Sequence, residues 1–183
     1  MKLILFLLLG ITRTLPVFSQ SQYQGKNTAV IVFEANPGFD ELTFETSLLN
    51  VKLKVEQANF QYNADITTFK NSNSKDTIVL SAILSAERNT LINFTGDMPA
   101  TVAFGSSSPD QTFLLRGQLE INTFLQSQSL NLRIMTRDDQ VAYSFSAAQN
   151  LRNFNIILPE KFTKRLTGRF RITSTGGLLQ MKY

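Results

Sequence analysis

The chain has no cysteine, no histidine and no tryptophan. Without cysteine there is no disulfide to staple the fold, so stability must come from packing. Without cysteine and histidine, the usual protein ligands of zinc, copper and haem iron are missing. A Ser-His-Asp triad is equally out of reach, because no imidazole base exists to activate the serine. Charge is sparse at 17% of residues. The acids Glu34, Glu45, Glu56, Asp65, Glu87, Asp97 and Glu120 are scattered and form no DxD or ExxE pair. Asp138-Asp139 falls where a turn is expected, and turn acids are ordinarily solvated. A carboxylate pair assembled from distant strands stays open at this level. No repeat of 20–50 residues recurs, which argues against a solenoid or propeller. No Pro/Gly/Ser-rich linker divides the chain.

What is present begins with a short charged start, Met1-Lys2, followed by an apolar run from Leu3 to Ile11. A spanning helix needs about 20 apolar residues, so this run is too short to cross a bilayer. Arg13-Thr14 interrupts it, Leu15-Pro16 breaks it, and Val17-Phe18-Ser19 suits a signal peptidase site. Residues 1–19 are read as a cleavable signal peptide, 20–26 as a flexible lead, and 27–183 as one soluble domain outside the cytoplasm. No cysteine follows the apolar run, which excludes a lipoprotein anchor, so no stable membrane anchor is expected. Loss of Lys2 and Arg13 leaves 16 basic and 14 acidic residues, a net charge of +2. That balance gives no reason to expect a nucleic-acid partner. The local cluster Lys161, Lys164, Arg165, Arg169 and Arg171 is most simply a solvated strand-and-turn surface.

Period-two alternation dominates the rest, the mark of half-buried strands. Asn27 to Glu34 opens it, and Asn36-Pro37-Gly38 is a turn. Glu41 to Val55 changes phase: Leu42, Phe44 and Leu48 share one parity, while Leu49, Val51, Leu53 and Val55 share the other. One extra residue near Leu48-Leu49, a β-bulge, would produce that switch. Ala58 to Phe69 alternates through Phe60, Tyr62, Ala64 and Ile66. Asp76 to Asn89 instead pairs Val79 with Ile83 and Leu80 with Leu84 at helical spacing, and predicts one short helix. Strands resume over Leu91–Gly96, Ala100–Phe104, Gln111–Phe124, Ser129–Thr136, Val141–Ala147, Phe154–Leu158 and Arg165–Thr173. Arg137 to Gln140 predicts a hairpin turn, and Gly176-Gly177 a bend before a last edge at Leu178–Tyr183. Eight or nine strands with one helix predict an all-β protein, either a closed antiparallel barrel of about eight strands or a sandwich. Long strands favour the barrel, since tilted strands travel further around it.

Phe44, Phe60, Tyr62, Phe113, Leu115, Leu132, Tyr143, Phe145, Phe154 and Phe170 all have the parity that points inward. An eight-stranded barrel either fills its interior with side chains or encloses one small ligand. Inward Gly117, Ala147 and Gly168 vacate volume, which favours a cavity. Periodicity alone leaves the cavity and the filled core level.

Four stretches, taken with the chain's closing segment, resemble the YceI-like family, periplasmic polyisoprenoid-binding proteins with a lipocalin-like barrel. They are Ile31-Val32-Phe33-Glu34-Ala35, Phe60 to Phe69, Leu91 to Met98 (LINFTGDM) and Gly117 to Ile121 (GQLEI). The closing segment, Phe154 to Phe162 followed by Leu166-Thr167-Gly168, is similar as well. Order and spacing match over about residues 27–181. The chain departs from the family where many members carry a histidine in the helical segment, here Lys75 to Asn89. It also has Asn89-Thr90 in place of the usual aromatic-proline pair. The resemblance implies a lipocalin-like barrel in a bacterial periplasm, no enzyme activity, no cofactor, and an isoprenoid or other long apolar chain as ligand. The ten inward residues would line that ligand. The alternative is a structural or protein-interaction module of the envelope with a filled core. Oligomeric state is left open, a homodimer included.

Overall fold

The computed structural model describes residues 22–73, 78–85, 90–99, 101–102, 104, 110–137 and 140–182. The expected signal peptide, both flanks of the expected helix and the tip of the 137–140 turn lie outside these residues. The strands are β1 (Gln22–Ala35), β2 (Leu42–Lys54), β3 (Asn59–Asp65), β4 (Lys70–Asn71), β5 (Leu91–Asp97), β6 (Gln111–Ile121), β7 (Phe124–Arg137), β8 (Gln140–Asn150) and β9 (Leu166–Lys182). Two short helices are described, α1 (Leu80–Leu84) and α2 (Glu160–Thr163). Neighbours around the sheet run β1-β9-β8-β7-β6-β5-β3-β2, and β1 also pairs with β2. That last pairing closes an eight-stranded antiparallel barrel, which removes both sheet edges. The two-residue β4 adds only a short patch beside Phe44 and Glu45 of β2.

Burial follows the sequence parity. In β8, Val141, Tyr143, Phe145 and Ala147 are buried while their neighbours are not. The phase switch in β2 is real. Between the pairs Asn27↔Leu49 and Ala29↔Thr46, β2 carries one residue more than β1. Thr46 and Leu49 are both buried, and Leu48 is pushed out to 48% exposure. The Leu48 amide donates to Thr46 Oγ1 at 3.1 Å, and Thr46 Oγ1 lies 2.8 Å from Thr68 Oγ1. The hydroxyl thus occupies the amide that the bulge releases from the ladder.

Because every pairing is antiparallel, the connections alternate between the two ends. One end carries residues 36–41, 66–90, 122–123 and 151–165. The described parts of these connections are tied into a cap. Asn36 Nδ2 donates to the carbonyls of Thr163, Lys164 and Leu166 at 3.2, 3.1 and 3.3 Å, and its amide donates to Arg165 O at 2.8 Å. Asn122 Nδ2 donates to Leu84 O, joining the β6–β7 turn to α1. Asn36→Ala is expected to lower unfolding free energy by about 1–2 kcal/mol, since three carbonyls lose their shared donor near the surface. A fall in the urea midpoint at unchanged m-value is the check.

Five local expectations are corrected. Residues 22–26, read as part of a flexible lead, belong to β1. Gln111–Phe124 is not one strand, because Asn122 and Thr123 both have positive φ, 51° and 69°, and turn the chain into β7. That is the geometry of a two-residue hairpin turn. Phe154–Leu158 is not a strand: Leu151–Phe154 is a 3₁₀ turn, and Asn155 at φ 53° redirects the chain before α2. The described residues of 100–104 form no ladder. Gly176-Gly177 does not end a strand. It bulges a continuous β9, with one extra residue on β9 between Tyr143↔Gly177 and Phe145↔Ser174.

Candidate functional site

Nine of the ten candidate residues lie in the barrel core, between 0% and 3% exposed, eight placed by strand alternation and Phe154 by the 3₁₀ turn. Phe113, near the opposite end of β6, is only half-buried against that core. The aromatics divide into two groups. Toward the capped end Phe33 lies 5.5 Å from Phe170 and 6.0 Å from Phe44, and Phe154 packs on Phe170 at 6.4 Å. In the middle of the lumen Phe60 and Tyr62 meet Phe94 on one side and Tyr143 and Phe145 on the other. Phe33 and Phe94 were absent from the candidate set, although each has the inward parity of its strand. Leu115 and Leu132 complete the wall.

The central group spans the lumen. Strands β3 and β8 stand four places apart in both directions around the barrel. Yet Tyr62 of β3 stacks on Phe145 of β8 with centroids 4.6 Å apart and planes at 9°. The other face of Tyr62 stacks on Phe94 at 5.3 Å. Phe60 reaches Tyr143 at 6.2 Å beside them. Rings from opposite walls therefore meet, and at this level the interior is filled by its own side chains. The space left by Gly117 is part of the same packing: a Cβ there would lie 2.7 Å from the Phe94 ring. The expectation that Gly117 opens a cavity is corrected by that ring. Gly168 is different. It has φ +83° and open space beside it, with only Asn150 Oδ1 at 4.0 Å. It borders a half-open cleft of about 630 Å³ at the capped end, shared by Leu151, Arg152, Ile156 and Leu166. None of the ten candidates lines that cleft.

The polar groups near the lumen are few. Among the described residues the buried Tyr62 hydroxyl has no hydrogen-bond partner, and burial pushes its pKa well above the ordinary phenol value. Burial also pushes Tyr143 up to about 12, opposed by hydrogen bonds to Ser174 and Asn27. Both phenols are neutral through the physiological range. Since the unfolded phenols ionise near pH 10, this contribution to stability is complete below pH 10 and falls as pH rises past it. An unfolding series from pH 8 to 12 is expected to show that alkaline loss, and Tyr143→Phe to reduce it. Four carboxylates make local contacts. Asp65 Oδ1 accepts from the Thr67 amide and hydroxyl, and those bonds hold its pKa below the usual carboxylate value. Asp97 accepts from Asn59, Glu120 from Asn93, and Asp110 pairs with Arg133 on the surface.

This barrel architecture recurs among solved structures. A polyisoprenoid-binding domain from Saccharophagus degradans, implicated in plant cell wall breakdown, matches with a TM-score of 0.66 at 7% identity, over 89% of this chain and 98% of that one. BcnA of Burkholderia cenocepacia matches with a TM-score of 0.58 at 14% identity, over 85% and 96%. The fold is the lipocalin-like barrel of the YceI-like proteins. At these identities the likeness concerns the fold. No family model matches the chain, and no curated protein does. The barrel here has a predominantly apolar wall, a lumen bridged by stacked rings, and a half-open cleft at its capped end.

Proposed function

We propose that this chain is an exported, non-catalytic lipid-binding protein of the bacterial periplasm, holding an isoprenoid or other long apolar chain inside its barrel. The observation that carries the reading is the predominantly apolar lining, in which Thr46, Gln128, Thr136 and Ser174 are buried polar members. Phe60, Tyr62, Tyr143, Phe145, Phe154 and Phe170 present rings, and Phe44, Leu115 and Leu132 fill between them, all essentially buried. The fold shared with a polyisoprenoid-binding domain supports the same reading. The chain must part the Tyr62–Phe145 stack to enter. Aromatic pairs contribute about 0.5–1.5 kcal/mol beyond their area. Each buried CH₂ of a guest returns about 0.8 kcal/mol, so a few isoprene units offset the lost stacking. Ring displacement is therefore affordable energetically, and no cofactor or metal takes part.

A second reading has its own observation. Rings that stack across the full lumen are also what a filled core would look like, and that favours an envelope interaction module. Near-ultraviolet circular dichroism separates the two, because the stacked tyrosines and phenylalanines report their own packing. Titration with a long-chain polyprenol in dilute detergent is expected to change that spectrum saturably. A spectrum that does not move, with no retention of the polyprenol on gel filtration, would leave the filled core as the better account.

A further inference from the structure

The exposed apolar side chains of this barrel are not spread evenly. Among the described residues nine large hydrophobics are exposed, and six belong to one end: Phe39, Val79, Leu91, Phe124, Leu125 and Ile157. Every connection at that end carries or adjoins at least one. Phe39 sits in the β1–β2 turn, Val79 just before α1, Leu91 at the start of β5, Phe124 and Leu125 at the first residues of β7, and Ile157 between β8 and α2. Ile157 is the most extreme, 86% exposed, and Leu125 follows at 62%. Only Leu114 and Leu178 are exposed toward the other end, on the outer faces of β6 and β9, and Leu48 lies in the β2 bulge. Isolated surface hydrophobics are ordinary, but a rim that collects them from every loop marks an interaction surface.

We infer that this capped rim docks on a phospholipid bilayer surface, with the loop tips entering the interfacial layer. Two features select that partner. The six side chains lie in or beside four separate connections, which suits a deformable phase better than a rigid complementary protein. The charge alongside them also has the right sign. The β8–β9 connection carries exposed Arg152, Lys161 and Lys164 together with Arg165, against one acid, Glu160. Asp40 and Glu41 in the β1–β2 turn offset part of this, and Arg165 Nε donates to Asp40 O at 3.4 Å. Apolar tips flanked by lysine and arginine are the composition of peripheral binding to anionic lipid. The cleft beside Gly168 opens within the same cap, so a docked barrel would present that opening to the membrane. This concerns the rim and stands independently of what the lumen holds.

The lack of tryptophan makes the test direct, since one introduced indole is a unique reporter. Ile157→Trp and Leu125→Trp are compared with Leu178→Trp and Leu114→Trp, using vesicles of phosphatidylethanolamine and phosphatidylglycerol free of isoprenoid. The expected result is a blue shift of emission for the two rim variants and none for the other two. Lys161→Glu and Lys164→Glu, each in the Ile157→Trp background, should weaken vesicle binding about tenfold or more, since each swap removes one attractive charge and adds a repulsive one. Emission at position 157 that ignores vesicles, or that shifts no more than at position 178, overturns the proposal and turns the rim toward a protein partner. Because these vesicles hold no isoprenoid, a positive result survives failure of the lumen reading, and a negative one leaves that reading standing.

Discussion

Phe145→Ala is expected to cost about 3–5 kcal/mol of folding stability and, in the same protein, to increase uptake of a long apolar probe. Phe145 is 3% exposed and stacks on Tyr62 across the lumen at 4.6 Å. Truncation removes that stack and leaves a ring-sized void between two walls held apart by the barrel ladder. Voids lined by apolar side chains stay dry and accept apolar guests. The work of parting the rings is then already done, so a lumen ligand gains what the fold loses. Tyr62→Phe is the matched control. It keeps the ring stack and removes a buried hydroxyl that has no partner among the described residues, so stability should hold or rise by about 1 kcal/mol. Urea unfolding with a probe titration checks both variants. Lost stability with no gain in uptake would speak for a filled core.

Gly117→Ala is expected to destabilise by about 1–3 kcal/mol, although it adds a single methyl group. Its Cβ would lie 2.3 Å from Thr95 O and 2.7 Å from Gly96 Cα, both backbone atoms of the adjoining β5. Gly96 and Gly117 are register partners, so the strands approach where neither has a side chain. The Phe94 ring covers the pair from inside. Shrinking that ring with Phe94→Leu should not rescue Gly117→Ala, since the backbone contacts remain. A thermal unfolding series on the single and double variants decides it. Full rescue would assign the clash to the ring alone.

Most of the barrel was legible because a closed sheet with one wet face imposes a strict period of two. The β2 bulge was visible for the same reason: one extra residue flips every later side chain. The β6–β7 turn was hidden because it uses Asn122-Thr123. A β-branched residue at positive φ is uncommon, and the usual Asn-Gly signal is absent. The 154–158 segment deceived differently. Phe154 and Ile156 are buried and Ile157 is exposed, so burial alternates as in a strand, but Asn155 in the left-handed region prevents a ladder. The candidate site was legible as a list of inward residues. What parity could not give was which walls face each other. That Tyr62 meets Phe145 follows from the β1–β2 closure, which sets β3 opposite β8.

The most direct test of a lipid-holding barrel is native mass spectrometry of the protein purified without detergent, followed by organic extraction. The account predicts a population heavier than the bare chain by the mass of one apolar lipid, recovered in the extract and regained when a polyprenol is added to stripped protein. A spectrum of the bare chain alone, with nothing extracted and no uptake of added polyprenol, would contradict it.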